Sequence, residues 1–351
     1  MAQPFGLTYH ADGAQFIRAR GADSLRLQRR PAELASVGRN LIHFAAPGNR
    51  WLGAMLGDGG HLQYGVNQLL QGVGFKGCTR PEIVAMTLSI THLGSGSSGN
   101  ATLLATAESR ILIDCGFSGR QLERRLELLE MKPTDLDAIL ISHHHGDHSK
   151  GALIANRKWG IPLMMNFETC AKLGLDPVNE CKLFEALDLI EMGPDLSILP
   201  VPVNHDGADN VGFIASHLGE RAAVVTDLGS WSDELARHLK GCVHISVEAN
   251  YDSERLWNGP YPERLKQRIS GRGGHLSNRQ TAELLSHVIT KHTRSIVLCH
   301  LSAQNNAPHI AESEVLLEID DFFEGDISIS TQEGPEFSHY LGQAEPERVT
   351  I

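Results

Sequence analysis

The feature that most constrains this chain is the segment Ser142-His143-His144-His145-Gly146-Asp147-His148, which follows the apolar run Ala138-Ile139-Leu140-Ile141. A short apolar run of that kind reads as a buried strand. The polar cluster then sits on a loop at the end of a rigid element. His143, His145, His148 and Asp147 supply three imidazoles and one carboxylate within six residues, a donor set suited to Zn²⁺, Mn²⁺ or Fe. One such turn can aim alternate side chains at two adjacent ions. The plainer alternative is a solvated histidine-rich loop. Weighing against it are four more polar residues at strand ends: Asp114 after Ile111-Leu112-Ile113, His205 after Pro202-Val203-Asn204, Asp227 after Val224-Val225-Thr226, and His300 after Ile296–Cys299. Singly, each is an ordinary turn residue. As a series they converge at one edge of a sheet.

The rest of the chain supports a layered α/β domain. From Met86 onward, strand and helix patterns alternate. Expected strands include 88–93, 101–106, 110–114, 138–142, 161–164, 187–192, 197–203, 211–217, 222–226, 243–248, 295–299 and 327–330. Helices are expected over 119–130, 151–158, 168–173, 231–239, 262–269, 277–291 and 311–322. Ser277 followed by Gln280 marks a helix start as a capping box. Two strand groups with interspersed helices imply sheets covered by helices on their outer faces. Residues 1–85 differ. They are rich in Gly and Arg, show no sustained period, and hold nine basic and five acidic residues, a net of +4 that leaves −15 for the remainder of a chain whose total is −11. They are expected to be an N-terminal extension, disordered or from a misassigned start, rather than an accessory segment. Residues 86–351 form the working domain.

Composition excludes several classes. No stretch approaches 18 consecutive apolar residues, so no membrane span is expected. Six cysteines without a CxxC pair suggest neither a disulfide framework nor a zinc ribbon. They read as reduced thiols of a cytoplasmic protein. The acidic balance argues against a nucleic-acid coat protein. Nothing sets the oligomeric state, and a homodimer is left open.

The ordered series Asp114, His143-x-His145-x-Asp147-His148, His205, Asp227, His300 resembles the metallo-β-lactamase superfamily. That resemblance implies an αββα sandwich with a dinuclear metal site at one edge. His143, His145 and His205 would hold one divalent ion, zinc or manganese. Asp147, His148 and His300 would hold the second. Asp227 would bridge them, and Asp114 would orient the ligand loop from behind. His144 has no ligand counterpart and is expected to be structural.

Further segments are similar to the YycJ/WalJ group of bacterial metallohydrolases: Gly94-Ser95-Gly96-Ser97-Ser98-Gly99-Asn100, Gly274-His275-Leu276-Ser277-Asn278, and His300-Leu301-Ser302 with Asn305-Asn306. The group is associated with 5′-to-3′ exonuclease activity on DNA. In related tRNA 3′-processing enzymes, counterparts of His275 and Glu248 protonate and orient the leaving oxygen. The catalytic set expected here is Asp147, His275 and Glu248. A nucleic-acid substrate follows, DNA before RNA. The runner-up is an RNase Z-like RNA endonuclease, but the gap of 22 positions from His205 to Asp227 leaves no room for a tRNA-gripping arm. The 73 residues from Asp227 to His300 are too few for a β-CASP cap. A further alternative is hydrolysis of a small phosphodiester or ester; a metal-stabilised binding module is the non-enzymatic reading.

Two segments are candidates for guiding phosphate into the site. One is the basic stretch between Tyr261 and Gln280, with Arg264, Lys266, Arg268, Arg272 and Arg279 against Glu263, of which Arg272 is the nearest to His275. The other is the Gly/Ser loop, through Ser95, Ser97, Ser98, Asn100 and the loop's backbone N–H groups. The plain reading of the first is a solvated helix face, and of the second a linker.

Overall fold

The structure, a computed structural model, describes residues 87–206, 209–341 and 349–350, and the backbone of five strands among the first 55 residues. The chain divides into two compact units, Met1–Arg80 and Pro81–Ile351. In the first, β1 (Leu7–Tyr9), β2 (Gln15–Ile17), β3 (Leu25–Arg29), β4 (Leu41–Ala46) and β5 (Arg50–Met55) form an antiparallel meander, each strand paired with the next. Strands this short carry too few residues for a period to show in the sequence. The expectation of a disordered or misassigned extension falls mostly outside the described residues.

The second unit holds two mixed sheets. The eight-stranded sheet contains β6 (Leu88–Gly94), β7 (Ala101–Ala105), β8 (Arg110–Ile113), β9 (Ala138–Leu140), β10 (Leu163–Met165) and β11 (Lys182–Leu183), with β19 (Phe337–Leu341) and β20 (Val349–Thr350) added beyond β6. The seven-stranded sheet runs in chain order: β12 (Ile190–Glu191), β13 (Ser197–Pro202), β14 (Val211–His217), β15 (Glu220–Val225), β16 (His244–Glu248), β17 (Ser295–Cys299) and β18 (Asp326–Ile329).

The period of two along each strand sorts side chains into layers. On β8, Ile111 and Ile113 pack with Val211, Phe213 and Val224 of the other sheet, while Leu112 packs with Leu122 and Leu126. Those two leucines lie on α1 (Gly119–Glu127), which Ser118 starts through a capping box with Gln121. Helices α3 (Ala152–Trp159) and α4 (Phe167–Leu173) cover the same outer face. On β15 and β16, Ala223, Val225, Ile245 and Val247 pack on α5 (Asp233–Leu239), α8 (Asn278–Val288) and α9 (Pro308–Ile319). Helix, sheet, sheet and helix therefore stack in that order, as the αββα expectation requires. A four-residue helix, α2 (Gly146–Ser149), and two short helices, α6 (Ser253–Asn258) and α7 (Glu263–Ile269), complete the described elements used below. No helix among the described residues is long and apolar enough to cross a membrane.

Topology delivers the polar residues to one edge. β8 and β9 run parallel, with Ile113 opposite Leu140. β15, β16 and β17 also run parallel, with Val225 opposite Val247 and Glu248 opposite Cys299. The C-terminal ends of these strands, and of β13, therefore lie together. β8, β9 and β15 end at Ile113, Leu140 and Val225, short of the expected limits at 114, 142 and 226. Asp114, Asp227 and His300 adopt left-handed backbone, with φ of 60°, 49° and 54°. A non-glycine residue in that region costs on the order of 1–3 kcal/mol, and the turn swings each side chain out of the pleat toward the shared edge.

Candidate metal centre

The ligand loop is held from below by backbone. Asn100 N donates to Asp147 O and Cys115 N to His148 O, both at 2.7 Å. Gly116 lies so close beneath the loop that a Cβ there would fall 1.7 Å from Asp147 O. Only glycine fits at that position. Asp114, buried, accepts from Ser142 N at 2.8 Å and Ser142 Oγ at 2.9 Å, and from His148 Nδ1 at 2.7 Å. Ser142 Oγ in turn lies 3.0 Å from His143 Nδ1. With Nδ1 held in each ring, Nε2 of His143 and His148 points into the centre.

Two groups of donor atoms meet there. His143, His145, His205 and Asp227 form one, and Asp147, His148, Asp227 and His300 the other, with the ligand atoms of each group within 4.8 Å of one another. Asp227 belongs to both. Its Oδ2 lies 3.3 Å from His143 Nε2, 3.6 Å from His205 Nε2 and 3.0 Å from His148 Nε2. His205 Nε2 is 3.2 Å from His145 Nδ1, while His205 Nδ1 donates to Gly274 O at 2.7 Å. His300 Nε2 is 3.4 Å from Asp147 Oδ2, and its Nδ1 is 2.9 Å from Glu248 Oε1.

This geometry fits divalent metal. Tetrahedral ligands at 2.0–2.1 Å from an ion stand about 3.3 Å apart, which is the spacing between several of these atoms. His143 Nε2 is buried and meets only the Asp227 carboxylate, at 3.3 Å and without good hydrogen-bond alignment, an atom of the kind a cation satisfies. Three of the ligand rings, His148, His205 and His300, give their other nitrogen to a carboxylate or carbonyl, the arrangement that fixes a metal-binding tautomer. His144 stands to one side, in ring contact with His143 and His145.

Charge within the cluster is strongly coupled. Burial works against a charged His148, but Asp227 and Asp114 raise it to about 10. Burial likewise opposes charge on His300, and Asp227, Asp147 and Glu248 raise it well above the usual imidazole range. Burial pushes Asp147 up, while His300 and His148 bring it down to about 2. Burial, with neighbouring imidazoles, lowers His143, His145 and His205 instead, so carboxylates favour charge at one group of donors and not at the other.

Glu248 and His275 complete the site. Glu248 is fully buried at the end of β16. Its Oε2 accepts from Leu228 N and Leu276 N, and its Oε1 from His275 Nδ1 at 2.7 Å. Burial alone would lower the His275 imidazole; the Glu248 carboxylate outweighs it and raises the value. The His275 side chain is 21% exposed and lines an open cavity of about 360 Å³ together with Asp147, His205, Asp227 and His300.

The expected phosphate loop is differently employed. Ser95 and Asn100 are buried; Ser95 Oγ donates to Asn100 Oδ1 and accepts from His300 N, and Asn100 Nδ2 is 3.0 Å from His148 Nε2. The N–H groups of Ser95, Gly96, Ser98, Gly99 and Asn100 are all committed within the protein, Ser98 N to Gln332 Oε1. These bonds run to the residues around the candidate ligands, and Ser97 is the loop residue that lines the cavity. Arg272 is exposed, and the cavity takes Arg268 from the same basic stretch. Sequence reasoning gave no role to Ser142, Asp206 or Asn250. Ser142 stands in the motif itself, Asp206 follows a ligand, and Asn250 Nδ2 donates to His300 O at 2.9 Å.

Comparison with known proteins agrees with this architecture. Residues 109–301 match the family model described as a beta-lactamase superfamily domain. A Bacillus anthracis protein named exodeoxyribonuclease YycJ is 33% identical over 234 residues, 66% of this chain and 88% of its own length. A Streptococcus pneumoniae protein named exodeoxyribonuclease WalJ is 35% identical over 233 residues, 65% of this chain and 86% of its own. Among solved structures, the metallo-beta-lactamase fold protein YhfI from Bacillus subtilis aligns with a TM-score of 0.55 at 15% identity, covering 73% of this chain and all of that one. Zn²⁺-bound PqqB from Methylobacterium extorquens aligns with a TM-score of 0.55 at 14% identity, over the same shares. The chain belongs to the metallo-β-lactamase superfamily and, within it, to the YycJ/WalJ family.

Proposed function

We propose that this protein is a metal-dependent phosphodiesterase that degrades DNA from the 5′ end, with two divalent ions, zinc or manganese, held by His143, His145, His205 and by Asp147, His148, His300, and bridged by Asp227. The observation that carries the reading is the His275–Glu248 pair, 2.7 Å apart and beside the ligand groups. An acid poised there suits a leaving group that is poor until protonated, as the oxygen of a phosphodiester is. The names of the two relatives point the same way.

Bound divalent ions would polarise the phosphoryl oxygen and bring the pKa of an attacking water toward about 7. The chain's own residues do the rest. Glu248 keeps Nδ1 of His275 occupied, which leaves Nε2 to protonate the departing oxygen. The upward shift of the His275 imidazole keeps that proton available near neutral pH. Glu248 also reaches His300 Nδ1, so one carboxylate orients both the acid and a ligand. Asp114 does the same for His148 from the opposite sheet.

A direct test follows 5′- and 3′-labelled single- and double-stranded DNA and RNA with protein reconstituted in Mn²⁺ or Zn²⁺. Stepwise release of 5′ nucleotides from DNA is the expected result. Internal cuts in RNA would favour an endonuclease instead. Cleavage of small diesters alone would restrict the activity to those.

A further inference from the structure

One wall of the cavity is neither ligand nor acid. Leu265, Arg268 and Ile269, spaced to share a face of α7, line the cavity together with the proposed metal ligands. The other basic residues of that stretch are occupied or elsewhere. Lys266 is buried and donates through Nζ to Trp257 O at 2.6 Å, Arg279 pairs with Glu283 at 3.2 Å, and neither Arg264 nor Arg272 is among the lining residues. Arg268 Nε donates to Asp206 Oδ2 at 2.7 Å, and Asp206 directly follows the ligand His205.

That pair has a small structural value, since Arg268 is 63% exposed and an exposed ion pair adds little stability. Its geometry is more informative. The tether uses one of five guanidinium N–H donors and leaves Nη1 and Nη2 for a planar or tetrahedral oxyanion. Apart from the histidines, Arg268 is the one basic residue among the described residues lining a cavity that also presents Asp147, Asp206 and Asp227. The cavity, about 360 Å³, is at the small end of ligand sites and suits a single nucleoside unit.

We propose that Arg268, aimed by Asp206, binds the phosphate adjacent to the scissile one, while Leu265 and Ile269 receive the apolar face of the nucleoside between them. Arg268 is then a specificity-determining residue that makes a polymer end a better substrate than an isolated diester. This rests on the nuclease reading above.

The test is steady-state kinetics of metal-loaded protein on a single-stranded oligodeoxynucleotide across a salt series. Arg268→Ala should raise KM at least about 10-fold while kcat changes far less, and should lower the slope of log KM against log salt by about 0.7. Arg268→Lys should recover the slope, because it restores the charge, but only part of the KM, because it lacks the fork. An unchanged KM and slope in Arg268→Ala, or a loss confined to kcat, would overturn the proposal. If wild type hydrolyses bis(p-nitrophenyl) phosphate but cleaves no oligonucleotide, the nuclease reading falls and takes the proposal with it. If wild type cleaves the oligonucleotide and Arg268→Ala matches it, only the proposal falls.

Discussion

The molecule contains two buried histidine clusters that burial alone would treat alike. At the sheet edge, His143, His148, His205 and His300 crowd around Asp227, with Asp114 and Glu248 behind them. Between the sheets, His92 Nε2 and His244 Nε2 meet at Ser246 Oγ, at 2.8 and 2.7 Å. Thr102 Oγ1 lies 2.9 Å from His92 Nδ1, and Ser295 Oγ lies 2.8 Å from His244 Nδ1. No carboxylate takes part in those hydrogen bonds. Desolvation, with His339 nearby, lowers His92 to about 3, and it lowers His244 well below the usual range. At the edge, the carboxylates outweigh the same desolvation for His148 and His300. Burial sets the cost of a charged imidazole, and the partner decides whether that cost is met. One cluster sets carboxylates against two of its imidazoles; the other joins two sheets through hydroxyls.

This contrast can be broken by substitution. The largest effect is expected for Asp227→Ala, which removes the oxygen shared by both ligand groups. Bound metal, read by elemental analysis, should fall below one equivalent, and hydrolysis should drop below detection. His275→Ala should lower kcat by about 10²–10⁴ with metal content unchanged. If that variant emptied the site, His275 would have to be reassigned as a ligand. Asp114→Ala leaves every ligand in place but frees His148 Nδ1, so metal affinity should weaken about 10–100-fold, as read by chelator competition.

The smallest effect concerns the inner cluster and is one of stability. The folded value of His92 is depressed, so the unfolded chain binds protons first as pH falls. Stability is then complete above about 6.5 and is lost as pH falls from there toward about 3, the folded value. The loss from His92 is roughly 1 kcal/mol per pH unit. Denaturant midpoints measured between pH 7 and 4.5 should show it, and His92→Gln should flatten the slope without changing metal content. A metal loss in His92→Gln would erase the distinction between the clusters.

Much of the edge cluster is legible in the chain because each of its residues follows a strand closely, and an apolar run with a polar terminus is a local pattern. The strands 211–217 and 295–299 were expected with the observed limits. What escaped is non-local. β19 pairs with β6, placing Ser338 opposite Thr91, and no local period announces a partner so far along the chain. The inner histidines had no sequence signal either, since their hydroxyl partners come from β7, β16 and β17. The Gly94–Asn100 loop has the composition of an anion nest, but composition does not reveal that its N–H groups point at Gln332, Thr331 and Asp147. Of the basic stretch, the spacing of Leu265, Arg268 and Ile269 could have shown a shared helix face, but not that the face closes a cavity.

The central claim is that the carboxylate-flanked cluster holds the ions that make phosphodiester hydrolysis possible. Its most direct test titrates metal-free protein with Mn²⁺ or Zn²⁺ while bound metal and release of 5′ nucleotides from labelled DNA are followed together, in wild type and Asp147→Ala. Wild-type activity should rise with occupancy and level off near two equivalents, and Asp147→Ala should stay inactive. Cleavage by metal-free protein, or two bound equivalents with no cleavage of any phosphodiester, would contradict it.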